Sequence, residues 1–536
     1  MPRSDGRAAL WSGLGNLSSK GLAFIRNLVL AATIGTALVA DAYNVANNVP
    51  NMLYLLLGGG AIATVFVPQI TRLARESQRR ADEFSTLLLV VVTAAGLVLV
   101  VSLIAATPLL VSLFGGSAWS SAQRELATSL SYWCLPQIVF YAIYAIQTQI
   151  LNSRGKFVAA AWVSSANSVV VLATCIPILL LGSVKAYDPL SLTTADVTLL
   201  GAGALAGTVV QSLLLAWVAV RSGFAWKLPS SLRSLGLRST ASIATWTLVA
   251  SLCYQVSSLV VVAVTARAGS EASLLGDSSR GYSVYYNAFT LVTLVQSILI
   301  ATFGNILLAR MAHHREHDSP NFALKEFEDT LIRAAALVAP VSGVLVSLGV
   351  PLTSVLFTRG NTTLEAAASI GVSVMILGLG VIPYSLHMLM IRGFYAFMLP
   401  RPPLVSALVV NGTWITGALA AQIFAPPMLR GWFVAAAFVA AYWLDFPLKF
   451  GRLRRHLGYQ MSATARRGLI RLGVSTGLST AIVAGGVLIS AGQGPLTYGL
   501  AASQLAVGGA AFVLIHLAAT FKSGVSVIDV ARWLRG

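Results

Sequence analysis

The chain reads as an all-α polytopic membrane protein with about 14 transmembrane helices, and three observations predict that class. Of its 536 residues, 56% are hydrophobic and only 10% charged, whereas a soluble domain averages about 25% charged. So few polar groups cannot clothe a water-facing surface of this length. Apolar runs of the roughly 20 residues that span a bilayer recur along the whole chain, and its mean hydropathy is +0.78. Lys and Arg, finally, gather in alternate loops, the bias that orients membrane helices. A cleaved leader ahead of a soluble body does not fit, because the apolar runs continue to Leu517 and Lys20 and Arg26 interrupt the first one.

In chain order the runs predict helices near 12–38, 45–70, 85–114, 128–151, 157–182, 197–220, 240–266, 283–309, 332–357, 366–391, 404–424, 431–448, 468–490 and 497–520. Pro50, Pro68, Pro136 and Pro351 are the expected break points. With the N-terminus inside, the cytoplasmic loops collect Arg72, Arg75, Arg79, Arg80, Arg154, Lys156, Arg221, Lys227, Arg233, Arg238, Arg452, Arg454, Arg455, Arg466 and Arg467. The opposite side holds only Arg124, Lys185, Arg267, Arg280, Arg359 and Arg430. A one-helix shift would erase that contrast, so both termini are expected in the cytoplasm. The net charge of +18 is thereby explained without nucleic acid, which is not an expected partner.

Two long polar loops, 221–239 and 310–331, fall on the cytoplasmic side. The first separates an N-terminal lobe of helices 1–6 (1–222) from a C-terminal lobe of helices 7–12 (240–450), with 223–239 as linker. Helices 13–14 and a tail occupy 451–536.

No enzyme signature is present: neither a His-Glu-x-x-His, nor a phosphate loop before a lysine, nor a nucleophile elbow. No catalytic residue, metal or cofactor is expected, and a coupling ion is left unidentified. Gly58-Gly59-Gly60 reads as helix packing or a hinge rather than a phosphate cradle. The cluster of His313, His314, Glu316, His317 and Asp318 reads as a solvated linker rather than a metal site. Cys134, Cys175 and Cys253 lie inside apolar runs without paired spacing and read as packing.

The informative residues are charges inside the membrane. A rise of about 1.5 Å per residue from Ser12 carries Arg26 roughly 20 Å deep, past the centre of the hydrocarbon. A central Arg or Lys costs about 2.5–3.5 kcal/mol even on the lenient insertion scale, so it faces a cavity or a partner. Lys20 lies about one-third of the way across, where snorkelling competes with a cavity role. Asp41 lies near the outer end, paired or wet.

Ser19-Lys20-Gly21-Leu22-Ala23-Phe24-Ile25-Arg26, followed by Ala40-Asp41-Ala42-Tyr43, resembles the first helix of the MurJ (MviN) lipid II flippases. Val49-Pro50-Asn51-Met52-Leu53, Gly59-Gly60-Ala61 and Phe66-Val67-Pro68 continue the likeness. So do Leu151-Asn152 with Phe157 and Asn167, Tyr285-Tyr286, Leu356-Phe357 with Gly360, and Gly393-Phe394-Tyr395-Ala396. Their order and spacing extend over nearly the whole chain, in the style of actinobacterial members. The resemblance implies an exporter of the multidrug/oligosaccharidyl-lipid/polysaccharide class in a bacterial inner membrane. Its two lobes would enclose a cationic cavity, with the last two helices bordering a groove for a lipid tail. The implied cargo is undecaprenyl-pyrophosphate-linked peptidoglycan precursor, moved to the outer leaflet by alternating access. Implied partners are membrane lipids and cell-wall synthesis or division proteins.

Departures from the family pattern matter. Lys20 stands where many members carry Arg, Tyr54 and Leu55 where two arginines often follow the Pro-Asn pair, and Phe289 and Val292 where others have Arg and Glu. Only Lys20, Arg26 and Asp41 therefore carry over as substrate-binding residues. A drug antiporter, another polysaccharide-lipid flippase and a non-transporting scaffold for cell-wall enzymes are the alternatives.

Overall fold

The computed structural model describes residues 3–55, 67–182, 184–228, 241–277, 279–298, 320–397, 399, 401–492 and 494–520. The glycine triplet at 58–60, the His/Glu/Asp cluster at 313–318, most of the 223–239 linker and the tail beyond 520 lie outside them. The described residues contain helices and no strand. Eleven helices are long and apolar enough to cross a membrane, or twelve when one bent pair counts as a single span. The expected runs at 45–70 and 283–309 are described only in part, so the count of 14 remains approximate.

Contacts group the chain into two compact units, Met1–Ser283 and Val284–Gly536. The first contains α1 (Arg3–Ile34), α2 (Leu38–Tyr54), α3 (Val67–Glu76), α4 (Gln78–Ala105), α5 (Thr107–Gly115), α6 (Ser121–Cys134), α7 (Gln137–Ser153), α8 (Phe157–Val163), α9 (Ser165–Leu181), α10 (Thr194–Arg221) and α11 (Ala241–Leu274). Helix α12 (282–298) begins at its end and continues into the second unit. There follow α13 (Pro320–Phe357), α14 (Leu364–Gly378), α15 (Val381–Ala396), α16 (Arg401–Phe424), α17 (Pro427–Leu457), α18 (Ala463–Ala491) and α19 (Tyr498–Thr520).

Several expected runs are broken, each for a local reason. The run at 85–114 is two helices, and Pro108 opens the second, where its missing N–H costs nothing. The run at 128–151 breaks at Leu135-Pro136 as expected, with Pro136 preceding α7. By contrast, Pro50 and Pro351 lie within continuous helices. The run at 366–391 breaks at Leu379-Gly380, where α14 and α15 meet at a bend of 52°. Trp443 Nε1 donates to the Leu379 carbonyl at 2.9 Å, taking up an acceptor at the break.

In the first unit α10 packs on α9, α7 and α6. Side chains at Gly203 and Gly207 would strike Thr174 and the backbone of Asn167, so small residues set how closely these helices approach. Helix α11 joins this unit through Trp119 Nε1, which donates to the Ala266 carbonyl, and Arg267, which donates to the Leu113 and Phe114 carbonyls. In the second unit α13 packs on α14, α15, α18 and α19, around Phe327, Leu389, Met390, Phe394 and Leu453. Leu109, Leu180, Leu181, Val98 and Val101 are exposed, a surface that suits hydrocarbon rather than water.

Candidate intramembrane polar site

Helix α1 lays Gly15, Ser19 and Arg26 against α8 and α9. Gly15 sits under Trp162, and the Ser19 and Ser164 hydroxyls hydrogen-bond at 2.6 Å. About two turns further on, Arg26 Nη1 donates to Asn167 Oδ1 at 3.0 Å. Its Nε and Nη2 both reach Asn27 Oδ1, at 3.4 and 3.2 Å. Asn167 Nδ2 in turn donates to Thr208 Oγ1 at 3.1 Å, and Thr208 donates to Gln137 Oε1 at 3.1 Å. Gln137 Nε2 donates to Asn47 Oδ1 at 3.2 Å. One hydrogen-bonded chain therefore threads α1, α9, α10, α7 and α2.

The electrostatic content of this chain is simple. No carboxylate lies within ion-pair distance of Arg26 among the described residues. Amide oxygens satisfy guanidinium N–H groups without cancelling the charge. An anion arriving beside Arg26 would meet an intact positive charge in a medium where charge-assisted hydrogen bonds are strong.

Lys20 is half-buried and makes no hydrogen bond or ion pair among the described residues. Six residues before Arg26, it is rotated about 120° around α1, away from the Asn167 contact. Asp41 is fully buried. Its Oδ1 accepts the Ser283 N–H at 2.6 Å, and its carboxylate lies against Gly269 and Gly281. Asn44 and Asn48 on the same helix hold the Ser283 hydroxyl and the Tyr282 phenol. Asp41 thus joins α2 to the segment that opens α12 and does not lie open to solvent in this conformation. Of the three expected residues, the structure links Arg26 to α2 through Asn47 but brings no two of them into contact.

The positions that depart from the family pattern are filled by aromatic packing. Tyr54 lies 4.9 Å from the Tyr141 ring and 6.4 Å from Tyr144. Phe289 stacks on Tyr285 and Trp414 and meets Phe438 edge-on.

Residue patterns alone missed two groups. Thr208, Gln137 and Asn47 are uncharged and scattered, and only tertiary proximity makes them a network. The second group is a buried ionic cluster in the C-terminal unit: Asp445 and Lys449 on α17, His387 on α15 and Ser406 on α16. Its sequence signal was available. Asp445 and Lys449 are four apart, on one helix face, and His387 interrupts an apolar run.

The fold of the chain is similar to those of solved membrane transporters. It superposes with a TM-score of 0.73 at 18% identity, over 96% of this chain and 99% of the other, on "Lipid II flippase MurJ, inward closed conformation". A multidrug resistance MATE family transporter of the MOP superfamily, inward-facing, gives a TM-score of 0.65 at 14% identity over 83% and 96%. The chain is a multi-pass membrane protein with that fold. The family described as "Lipid II flippase MurJ" matches residues 30–506, and the chain belongs to it. A relative from Rhizobium meliloti (strain 1021), "Probable lipid II flippase MurJ", is 25% identical over 470 residues, covering 85% of this chain and 82% of the relative.

Proposed function

We propose that this chain moves undecaprenyl-pyrophosphate-linked peptidoglycan precursor (lipid II) from the cytoplasmic to the outer leaflet of a bacterial inner membrane, by alternating access between two lobes. Family membership supports the cargo, and the state of Arg26 carries the reading at the level of chemistry. A pyrophosphate headgroup needs cations in a site screened from bulk water. Arg26 supplies a guanidinium whose fork suits phosphate oxygens and whose charge no described carboxylate neutralises. The prenyl tail can stay in lipid, so only the headgroup needs a polar path. Lys20 guides that headgroup from a different face of α1. Asp41 acts in the same assignment by holding α2 to the start of α12. A drug antiporter for organic cations fits this interior less well, since an uncompensated guanidinium repels such cargo.

The test is outer-leaflet lipid II in cells that depend on this chain, with variants expressed at matched levels. Arg26→Ala should abolish translocation without lowering expression. Arg26→Lys should keep part of it, because a point charge replaces a fork. Lys20→Ala should weaken it. Normal outer-leaflet lipid II in cells carrying a well-expressed Arg26→Ala protein would defeat the assignment, and would favour a scaffold.

A further inference from the structure

Helix α2 carries four asparagines, Asn44, Asn47, Asn48 and Asn51, within eight residues whose other members are apolar. At 100° per residue they fall within an arc of about 100° on one side of the helix. Val39, Ala42 and Ala46 on the opposite side are buried, and α2 packs on α6 and α7. All four asparagines are partly exposed.

An asparagine amide offers two N–H donors and two acceptor lone pairs, and the fold uses only part of that capacity. Asn44 Nδ2 donates to the Ser283 hydroxyl at 2.9 Å, and Asn51 Nδ2 to the Asn47 carbonyl at 2.9 Å. Asn47 Oδ1 accepts from Gln137 Nε2. Asn48 is engaged at both ends, by Met52 Sδ and by the Tyr282 phenol. Asn44 Oδ1, Asn47 Nδ2 and Asn51 Oδ1 are left without a hydrogen-bond partner among the described residues, and none of the three atoms is buried. Bonding between and within helices, the usual use of a polar side chain in a membrane, therefore takes up one end of each of these amides and leaves the other open.

An open amide facing hydrocarbon is unfavourable, so this side of α2 borders a polar space. Its open atoms are two acceptors and one donor, all uncharged. Asp41 is the sole charged residue of α2, and its carboxylate is turned onto the Ser283 N–H. Phosphate oxygens only accept and would find a single donor on the stripe. Hydroxyl and acetamido groups both donate and accept, and can use all three atoms. Sugars of the precursor carry such groups, and the amides of its peptide share the chemistry. The position of the stripe separates the two. Asn47 ends the hydrogen-bonded chain that begins at Arg26, and in the cargo a sugar is bonded directly to the pyrophosphate while the peptide hangs from that sugar. Tyr54, one turn beyond Asn51, closes the stripe by packing on Tyr141.

We propose that Asn44, Asn47 and Asn51 form a sugar-recognition face, which binds hydroxyl and acetamido groups of the precursor's disaccharide while Arg26 holds its pyrophosphate. This rests on the flippase reading. The test is binding by the purified full chain in lipid nanodiscs of three probes: undecaprenyl pyrophosphate, the same lipid bearing the disaccharide without peptide, and lipid II. Wild type should bind the disaccharide lipid about tenfold tighter than undecaprenyl pyrophosphate, and lipid II as tightly as the disaccharide lipid. Asn44→Ala and Asn51→Ala should each narrow that preference about threefold, and the double variant should remove most of it. The Asn51 amide donates only within its own helix, so Asn51→Ala keeps the fold even where Asn44→Ala loses its bond to Ser283. Arg26→Ala should weaken all three probes together and keep the preference. A preference unchanged in the asparagine variants, equal binding of the three probes by wild type, or a wild-type preference that needs the peptide would each overturn the sugar face. Failure of wild type to bind any of the three would overturn the flippase reading, and this inference with it.

Discussion

A guanidinium deep in a bilayer must find acceptors for its N–H groups, and Arg26 finds them in Asn27 and Asn167 rather than in a carboxylate. Asp41 illustrates the opposite solution, a carboxylate fitted against bare backbone. A methyl group at Gly281 would fall on its oxygens, so Gly281→Ala should lower stability by about 1–3 kcal/mol, the usual cost of overpacking. Thermal unfolding in detergent would check this, and an unchanged midpoint would show that the segment yields freely. Lys20 and Arg26 were legible because a charge in an apolar run is conspicuous in any sequence. His387 and Lys449 were not singled out, since Lys449 falls just past the expected end of its helix and a lone histidine reads as packing. They meet only through Asp445, which lies 58 positions from His387 in the chain.

At the scale of elements, hydropathy found the apolar runs and missed where they break. A window of twenty residues cannot tell a straight helix from two short ones, so the divisions at Ala106, Ser164 and Leu379-Gly380 were invisible while Pro136 was not. The same applies to the ends of helices, where one ion pair gathers three of them. Asp82 on α4 is paired with Arg154, which follows α7. Arg154 also donates to the Ser222 carbonyl after α10 at 2.7 Å, and Asp82 Oδ2 accepts the Ala225 N–H at 3.1 Å. The Phe224 ring lies 5.6 Å from the guanidinium. Both side chains are buried, so Asp82→Ala leaves a buried cation alone and should cost about 3–5 kcal/mol. Adding Arg154→Leu should recover part of that loss. A double variant no more stable than the single one would mean that the helix ends are held by packing instead.

For the whole molecule, the uneven distribution of Lys and Arg predicts which loops face which compartment. In a chain lacking Cys134, Cys175 and Cys253, single cysteines near Ser117 and Gly360 should react with an impermeant reagent in intact cells. Those near Gln78 and Ser462 should react only after permeabilisation, and the reverse pattern would invert the topology. Class and spans were readable at this scale because solvent chooses composition everywhere along the chain, while the interior's polar order was not, since it is a property of neighbours. That order has a direction. Arg26 can only donate, so Asn167 must turn its oxygen to Arg26 and its nitrogen to Thr208. The single Thr208 hydrogen is then shared between Gln137 Oε1 and the Ala204 carbonyl, both at 3.1 Å, and the Gln137 nitrogen is left to face Asn47. One charge thus orients dipoles across five helices, like a compass needle aligning its neighbours. Neutralising it would let the amides reverse together, and isotope-edited infrared spectra of labelled Asn and Gln would record the loss of alignment even where the backbone stayed still.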